Sequence, residues 1–218
     1  GIRLFAKIPS ELLRGICRIG IPTALQGMAY CGISMILTRM VSGYGAEAVA
    51  TQRVGGQIES ISWNTADGFA AALNAFVAQN YGAGEKERVR KGYHVSLWTV
   101  GLWGILVSAI FICFPIAHVF FHEPKAVEIA IGYLVIIGFG EAFMCVELTT
   151  IGALSGLGRT RLCSVISVAF TSARIPLAVI LSESMGLHGI WWALTSTSVV
   201  KGIIFTCTFF WIMRKKTS

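Results

Sequence analysis

Several ionisable side chains lie inside long apolar stretches of this sequence, where a charge needs a reason. Arg53, Glu59 and Asp67 share one stretch, and Glu141 and Glu147 share another. Arg174 and Lys201 each lie within a further apolar run. At membrane depth such groups are costly and normally face a bundle interior or an aqueous cavity. A carboxylate there can bind a proton or a cation, and a nearby guanidinium or ammonium can hold or tune it. Glu59, Asp67, Glu141 and Glu147 are therefore candidate cation, proton or cavity charges. Arg174, Arg53 and Lys201 are their candidate charge partners. Glu59, Trp63, Asp67 and Asn74 follow at i, i+4, i+8 and i+15, within one broad helical face. Gln57, Asn64 and Gln79 add polarity to the same segment, which cannot turn all of this toward lipid. Gln26, Tyr30 and Ser34 form a second polar stripe at i, i+4 and i+8, which lines a cavity or joins helices. Gln26, Tyr30, Trp63 and Asn74 are candidate cavity contacts for a substrate. The plainer alternative is pairing. The four acids meet four bases, Arg39 included, and buried pairs often fix helix register without doing chemistry.

These residues need apolar helices to carry them. The chain has 218 residues, 55% hydrophobic and only 13% charged. Soluble domains run near 25% charged, and the mean hydropathy of +0.70 is far too apolar for an ordinary soluble surface. An all-α membrane protein is expected. Gly1 stands where an initiator Met would, so a fragment or processed form is expected. At about 20 residues per span, the apolar runs read as six transmembrane helices, about 16–41, 47–80, 94–118, 127–152, 163–182 and 189–212. Residues 1–15 read as a cytoplasmic amphipathic linker helix, because Ile8, Leu12, Leu13 and Ile16 oppose Lys7, Glu11 and Arg14. Residues 213–218 read as a basic cytoplasmic tail. Gly43 and Gly45, Gly82 and Gly84, Gly156 and Gly158, and Gly186 and Gly189 punctuate the helices.

Basic residues alternate by loop. Arg3, Lys7, Arg14 and Arg18, then Lys86, Arg88, Arg90 and Lys91, then Arg159 and Arg161, then Arg214, Lys215 and Lys216 fall on one side. The loops of the other side hold only Lys125. By the positive-inside rule both ends are cytoplasmic. That bias accounts for the net charge of +7 without a nucleic-acid partner. Trp98, Trp191, Trp192 and Trp211 fall near span ends, as an interfacial aromatic belt would. The six cysteines form no CxxC pair and read as small buried hydrophobes. No HExxH, GxSxG, GxGxxG or Walker A pattern occurs, and the four histidines are scattered. An enzyme, an ATP-driven engine and a resident metal or other cofactor are therefore not expected.

An ordered set of stretches resembles the multidrug and toxic compound extrusion (MATE) family. It comprises Ile19 to Gln26, Gln57-Ile58-Glu59-Ser60, Val77 to Gly84, Gly152 to Thr160, Arg174 to Ala178, and Gly189 to Trp192. The resemblance implies twelve helices in two lobes of six around a central cavity, with alternating access driven by H+ or Na+. The amphipathic segment before helix 1 and the basic end after helix 6 resemble those of the C-terminal lobe. Glu59 is the matched acid and Arg174 the matched base. Two positions depart from some branches: helix 1 carries no acid, and Met144 stands where those branches place one. The implied function is half of a secondary active antiporter exporting organic compounds, cationic or amphipathic ones foremost, from a plasma (inner) membrane. The implied partners are the lipid bilayer, the N-terminal lobe of the same polypeptide and a small organic substrate. Two alternatives stand beside it. One is a lipid-linked saccharide exporter or flippase of a related superfamily, for which Arg53, Arg174 and Lys201 would supply a basic cavity. The other is a six-span binding or assembly subunit with no transport cycle.

Overall fold

The computed structural model describes residues 10–114 and 116–215. The elements are α1 (Ser10–Ser42), α2 (Ala46–Gly82), α3 (Lys86–Cys113), α4 (Ile116–Phe120), α5 (Pro124–Gly156), α6 (Thr160–Ser172), α7 (Arg174–Met185) and α8 (Leu187–Lys215). The described residues form a single helical lobe of six membrane-length passes, α3 with α4 forming one and α6 with α7 another. Five passes are long and apolar enough to span by composition, and α2 is long enough but too polar to meet that standard.

The helices overrun the apolar runs read from sequence, because their charged ends continue as helix beyond any lipid-facing segment. Thus α3 begins at Lys86 rather than near 94. It ends at Cys113 because Phe114, which precedes a proline, is extended at φ −101°, ψ 144°. The short α4 completes that pass. Residues 1–9 of the expected linker helix, and 216–218 of the expected tail, lie outside the described residues. From Ser10 onward α1 runs unbroken through Pro22 to Ser42, with no boundary near residue 15. Gly189, read as a loop residue, lies inside α8, where its missing side chain lets α8 meet the backbone of Leu181.

Two helix ends use the same device. Gly84 and Gly158 take φ of 83° and 74°, a region that costs other residues energy. The next amide in each case reaches back: Glu85 N–H donates to the carbonyl of Asn80 at 2.9 Å, and Arg159 N–H to that of Leu154 at 3.0 Å. Both are Schellman-type stops. The break between α6 and α7 has a different cause. Pro176 cannot donate to the carbonyl of Ser172 four residues back, and the helix is interrupted at Ala173.

Helix α5 is the hub, packed against α2, α3 and α8, while α7 packs on α8 and α1 lies outermost against α6. Half (50%) of the α5 span is buried in the lobe, against 6% for α1. Small residues allow the close approaches. Gly152 and Gly156 of α5 face the backbone of Ala70 and Asn74 in α2, and Gly104 of α3 faces Ala142. Near the basic end the core is built on Leu73, Val77, Tyr93, Leu154, Phe205 and Phe209, with Tyr93 stacked on Phe209 at 3.7 Å. Near the other end it is built on Val107, Phe111, Tyr133, Ile137 and Trp191.

Two sequence readings are corrected here. Trp191 is fully buried against Tyr133 rather than placed in an interfacial belt. Cys17, Cys31, Cys113 and Cys207 are exposed on the lobe, and only Cys145 and Cys163 are buried. The reason is common to both: in a membrane lobe an apolar neighbourhood does not mean the protein core, since lipid is equally apolar.

Candidate functional site

The packed side of α2 carries Gly55, Ser62, Ala66 and Ala70, all buried against the rest of the lobe. Gly55 has no Cβ, and the ring of Tyr133 from α5 occupies the space where one would be. Laid over Gly55, Tyr133 reaches one helical turn along α2 and donates its hydroxyl to Glu59 Oε2 at 3.2 Å. Glu59 is half-buried at the rim of this seam. Deeper in α5, Glu141 is 1% exposed and neither of its carboxylate oxygens has a hydrogen-bond partner. Ser62 and Cys145 meet across the same seam at 3.4 Å.

A second polar group lies where α5, α7 and α8 converge. Lys201 Nζ pairs with Glu147 Oε1 at 2.7 Å, with side-chain exposures of 8% and 6%. One turn earlier in α8, Thr197 and Ser198 accept from Arg174, at 2.8 Å from Nε and 3.0 Å from Nη2. Thr197 spends its own proton on the carbonyls of Ala193 and Leu194, so its oxygen is free to accept. Glu59, and Tyr30 of α1, lie within electrostatic reach of Arg174.

Toward the other end, Gln52 bridges three helices. Its amide donates to Thr38 of α1 at 3.4 Å and its carbonyl accepts from Trp191 of α8 at 3.4 Å. Beside it a cleft of about 340 Å³ opens between α1 and α2, lined by Ser34, Met35, Thr38, Val49, Gln52 and Arg53.

The structure therefore brings together some of the expected residues and not others. Glu59 turns into the α2–α5 seam, whereas Asp67, Trp63, Gln57 and Asn64 remain exposed on α2. Asn74 is half-buried near Gly156, and Gln26 is half-buried and Tyr30 exposed on α1. The near balance of acids and bases does not become a set of pairs. Among the described residues Lys201–Glu147 is the intramembrane ion pair, and Arg174 makes its contacts to hydroxyls rather than to an acid. Of the two intramembrane carboxylates of α5, Glu147 pairs with Lys201, with Arg174 also within electrostatic reach of it, while Glu141 meets no base. Tyr133, Thr197 and Ser198 were not singled out from sequence. The polar run Thr195 to Ser198 inside an apolar helix was the available signal for two of them. Among the described residues no three His, Cys, Asp or Glu side chains converge as a metal-ligand set.

Comparison with known proteins gives a consistent result. The MatE family profile matches residues 22–180. A probable multidrug resistance protein NorM from Thermotoga maritima is 31% identical over 202 residues, covering 88% of this chain and 42% of that protein. Among solved structures, a MATE in the straight conformation superposes with a TM-score of 0.87 at 19% identity, covering 97% of this chain and 49% of that one. The Vibrio cholerae MATE transporter VcmN in its bent form superposes at 0.83 and 18% identity, covering 96% of this chain and 48% of that one. These two likenesses show the fold. The chain spans 42% of the length of the NorM relative and just under half of each structure.

Proposed function

This chain belongs to the MatE family, and from that premise we propose that it is the C-terminal lobe of a two-lobe secondary antiporter. The antiporter exports organic compounds, cationic or amphipathic ones foremost, in exchange for H+ or Na+. The observation that carries this reading is the polar edge of α2. Arg53, Gln57, Asn64 and Asp67 are exposed on a membrane-length helix, where lipid cannot satisfy them. A second lobe facing that edge would enclose it as an aqueous cavity. Glu59, held by Tyr133 at the border between this edge and the packed seam, is placed to exchange a cation or proton with the cavity. Tyr30 and Trp63, 55% and 47% exposed, offer aromatic surface to an organic substrate. The basic loop ends fit a cytoplasmic location of both termini in a plasma (inner) membrane.

The test uses the full-length transporter in everted vesicles loaded by an imposed ion gradient, with a fluorescent organic cation as substrate. Glu59→Gln should reduce ion-driven efflux at least tenfold at unchanged protein level, and Asp67→Asn should weaken it less. Normal efflux in both variants would remove these carboxylates from coupling. The intact mass of the native polypeptide should lie near twice the 23.5 kDa of this chain, and a native mass near 23.5 kDa would rule out the two-lobe reading.

A further inference from the structure

Helices α3 and α8 touch through aromatic rings near the basic end of the lobe and part farther in. Tyr93 stacks on Phe209 and meets Phe210 edge-on, and His94 lies 5.4 Å from Phe210. Deeper, α5 stands between the two helices: its Ala142 meets Gly104 of α3, and its Phe143 meets Gly202 of α8. The gap leaves Phe139 and Phe143 exposed on α5, with Ile105 of α3 and Ile203 of α8 exposed beside them. Gly101 lies two turns on from His94 along the same face of α3, and a Cβ there would meet nothing within 4 Å. The result is an apolar groove, open along its length and closed by rings at the basic end.

Two guanidiniums stand just beyond that closed end. Arg90 is one turn before His94 on the same face of α3, and Arg214 is one turn after Phe210 on the same face of α8. Each turn carries it about 6 Å past the ring contact, away from the membrane interior. Both are exposed, and neither has an ion-pair partner among the described residues. Glu87, the acid closest to Arg90 along α3, lies farther out still. Exposed Trp98 and Trp211 mark the membrane–water interface close to this level. A guanidinium fork suits a phosphate, and the groove behind it suits hydrocarbon.

We propose that the α3–α5–α8 groove binds an anionic phospholipid from the leaflet at the basic end. Its phosphate sits between Arg90 and Arg214, and an acyl chain lies over Phe143 and Phe139. The net negative charge matters because a zwitterionic headgroup would bring its own ammonium up to the two arginines. None of the residues assigned to transport forms this site, so it stands independently of the export reading.

The experiment is native mass spectrometry of the full-length transporter, released from detergent micelles holding equal amounts of dioleoylphosphatidylglycerol and dioleoylphosphatidylcholine. Wild type should retain the glycerol lipid in preference to the choline lipid. The double variant Arg90→Gln/Arg214→Gln should weaken phosphatidylglycerol binding about thirtyfold, roughly fivefold for each arginine beside an anionic headgroup. Phosphatidylcholine binding should stay within about twofold. Arg159→Gln/Arg161→Gln removes the same charge at the same end of the lobe but outside the groove, and should leave the preference within about twofold of wild type. Gly101→Phe fills the groove without touching its charge, and should weaken both lipids alike. Equal retention of the two lipids by wild type would overturn the assignment. So would an equal loss in the two arginine double variants, which is the behaviour of a diffuse basic surface. Lipid binding untouched by Gly101→Phe would remove the acyl chain from the groove. A lipid-free dimer that separates in Arg90→Gln/Arg214→Gln would give the face to a second copy of the chain instead.

Discussion

Replacing Lys201 by Met should destabilise the lobe far more than any surface substitution, and replacing Glu147 as well should restore most of the loss. The two groups meet at 2.7 Å with 8% and 6% of their side chains exposed. At that separation an effective dielectric constant of 20 gives an attraction of about 6 kcal/mol. Desolvating both ions consumes much of this gain. Removing one partner forfeits the attraction and leaves the other charge buried, a loss of about 3–5 kcal/mol. Arg174 lies within electrostatic reach of Glu147 and would partly answer the stranded carboxylate, so Lys201→Met should fall at the lower end. Glu147→Met strands Lys201 near a second cation and should fall at the upper end. The double variant places two apolar side chains together and should lie near wild type. The assay is a double-mutant cycle on the full-length protein, unfolded by titrating sodium dodecyl sulfate into mild-detergent micelles and followed by circular dichroism. The coupling should change little with ionic strength, because a buried pair is weakly screened. Two single losses below about 1 kcal/mol that simply add would refute the reasoning, since that is the behaviour of a solvated pair.

Two further substitutions test neighbouring contacts. Gly55→Ala gains about 1 kcal/mol of helix propensity, but its Cβ enters the space of the Tyr133 ring, an overlap costing about 1–3 kcal/mol. The variant should unfold at lower temperature than wild type, and equal or higher stability would mean that the ring does not rest on Gly55. Lys125 and Glu47 pair at 3.4 Å with 73% and 35% side-chain exposure. Lys125→Gln should therefore shift stability by less than about 1 kcal/mol, and a larger loss in the same detergent titration would show that this contact is not solvated.

Much of the architecture was legible because lipid imposes it. The apolar runs marked six passes, and Gly84 and Gly158 marked two of the stops. The family resemblance rested on stretches spread along nearly the whole chain, and the structure places them in one lobe. What could not be read was which polar groups meet. Tyr133 and Glu59 are 74 residues apart in sequence, and their contact depends on a glycine one turn before Glu59 rather than on any feature of either residue alone. Arg174 was read as the partner of an acid because opposite charges invite pairing. Its hydrogen bonds go to Thr197 and Ser198 of α8, while Glu59 and Glu147 lie within electrostatic reach without touching it. Burial was misread at Trp191 and at four of the cysteines, because hydropathy separates membrane from water but not lipid from protein.

The hub position of α5 has a consequence for how the chain is made. Helix α2 emerges from the ribosome well before α5, and the partners of Glu59 and Ser62 follow 74 and 83 residues later. At about 5–20 residues per second, synthesis delivers them roughly 4–17 seconds after α2. During that interval the most polar pass of the lobe has neither its tyrosine nor its close-packed glycines Gly152 and Gly156. Until then the packed side of α2, with Gly55, Ser62, Ala66 and Ala70, lacks the helix that covers it. A polypeptide terminated before Pro124 would leave that side of α2 without α5 and should be recognised by quality-control proteases.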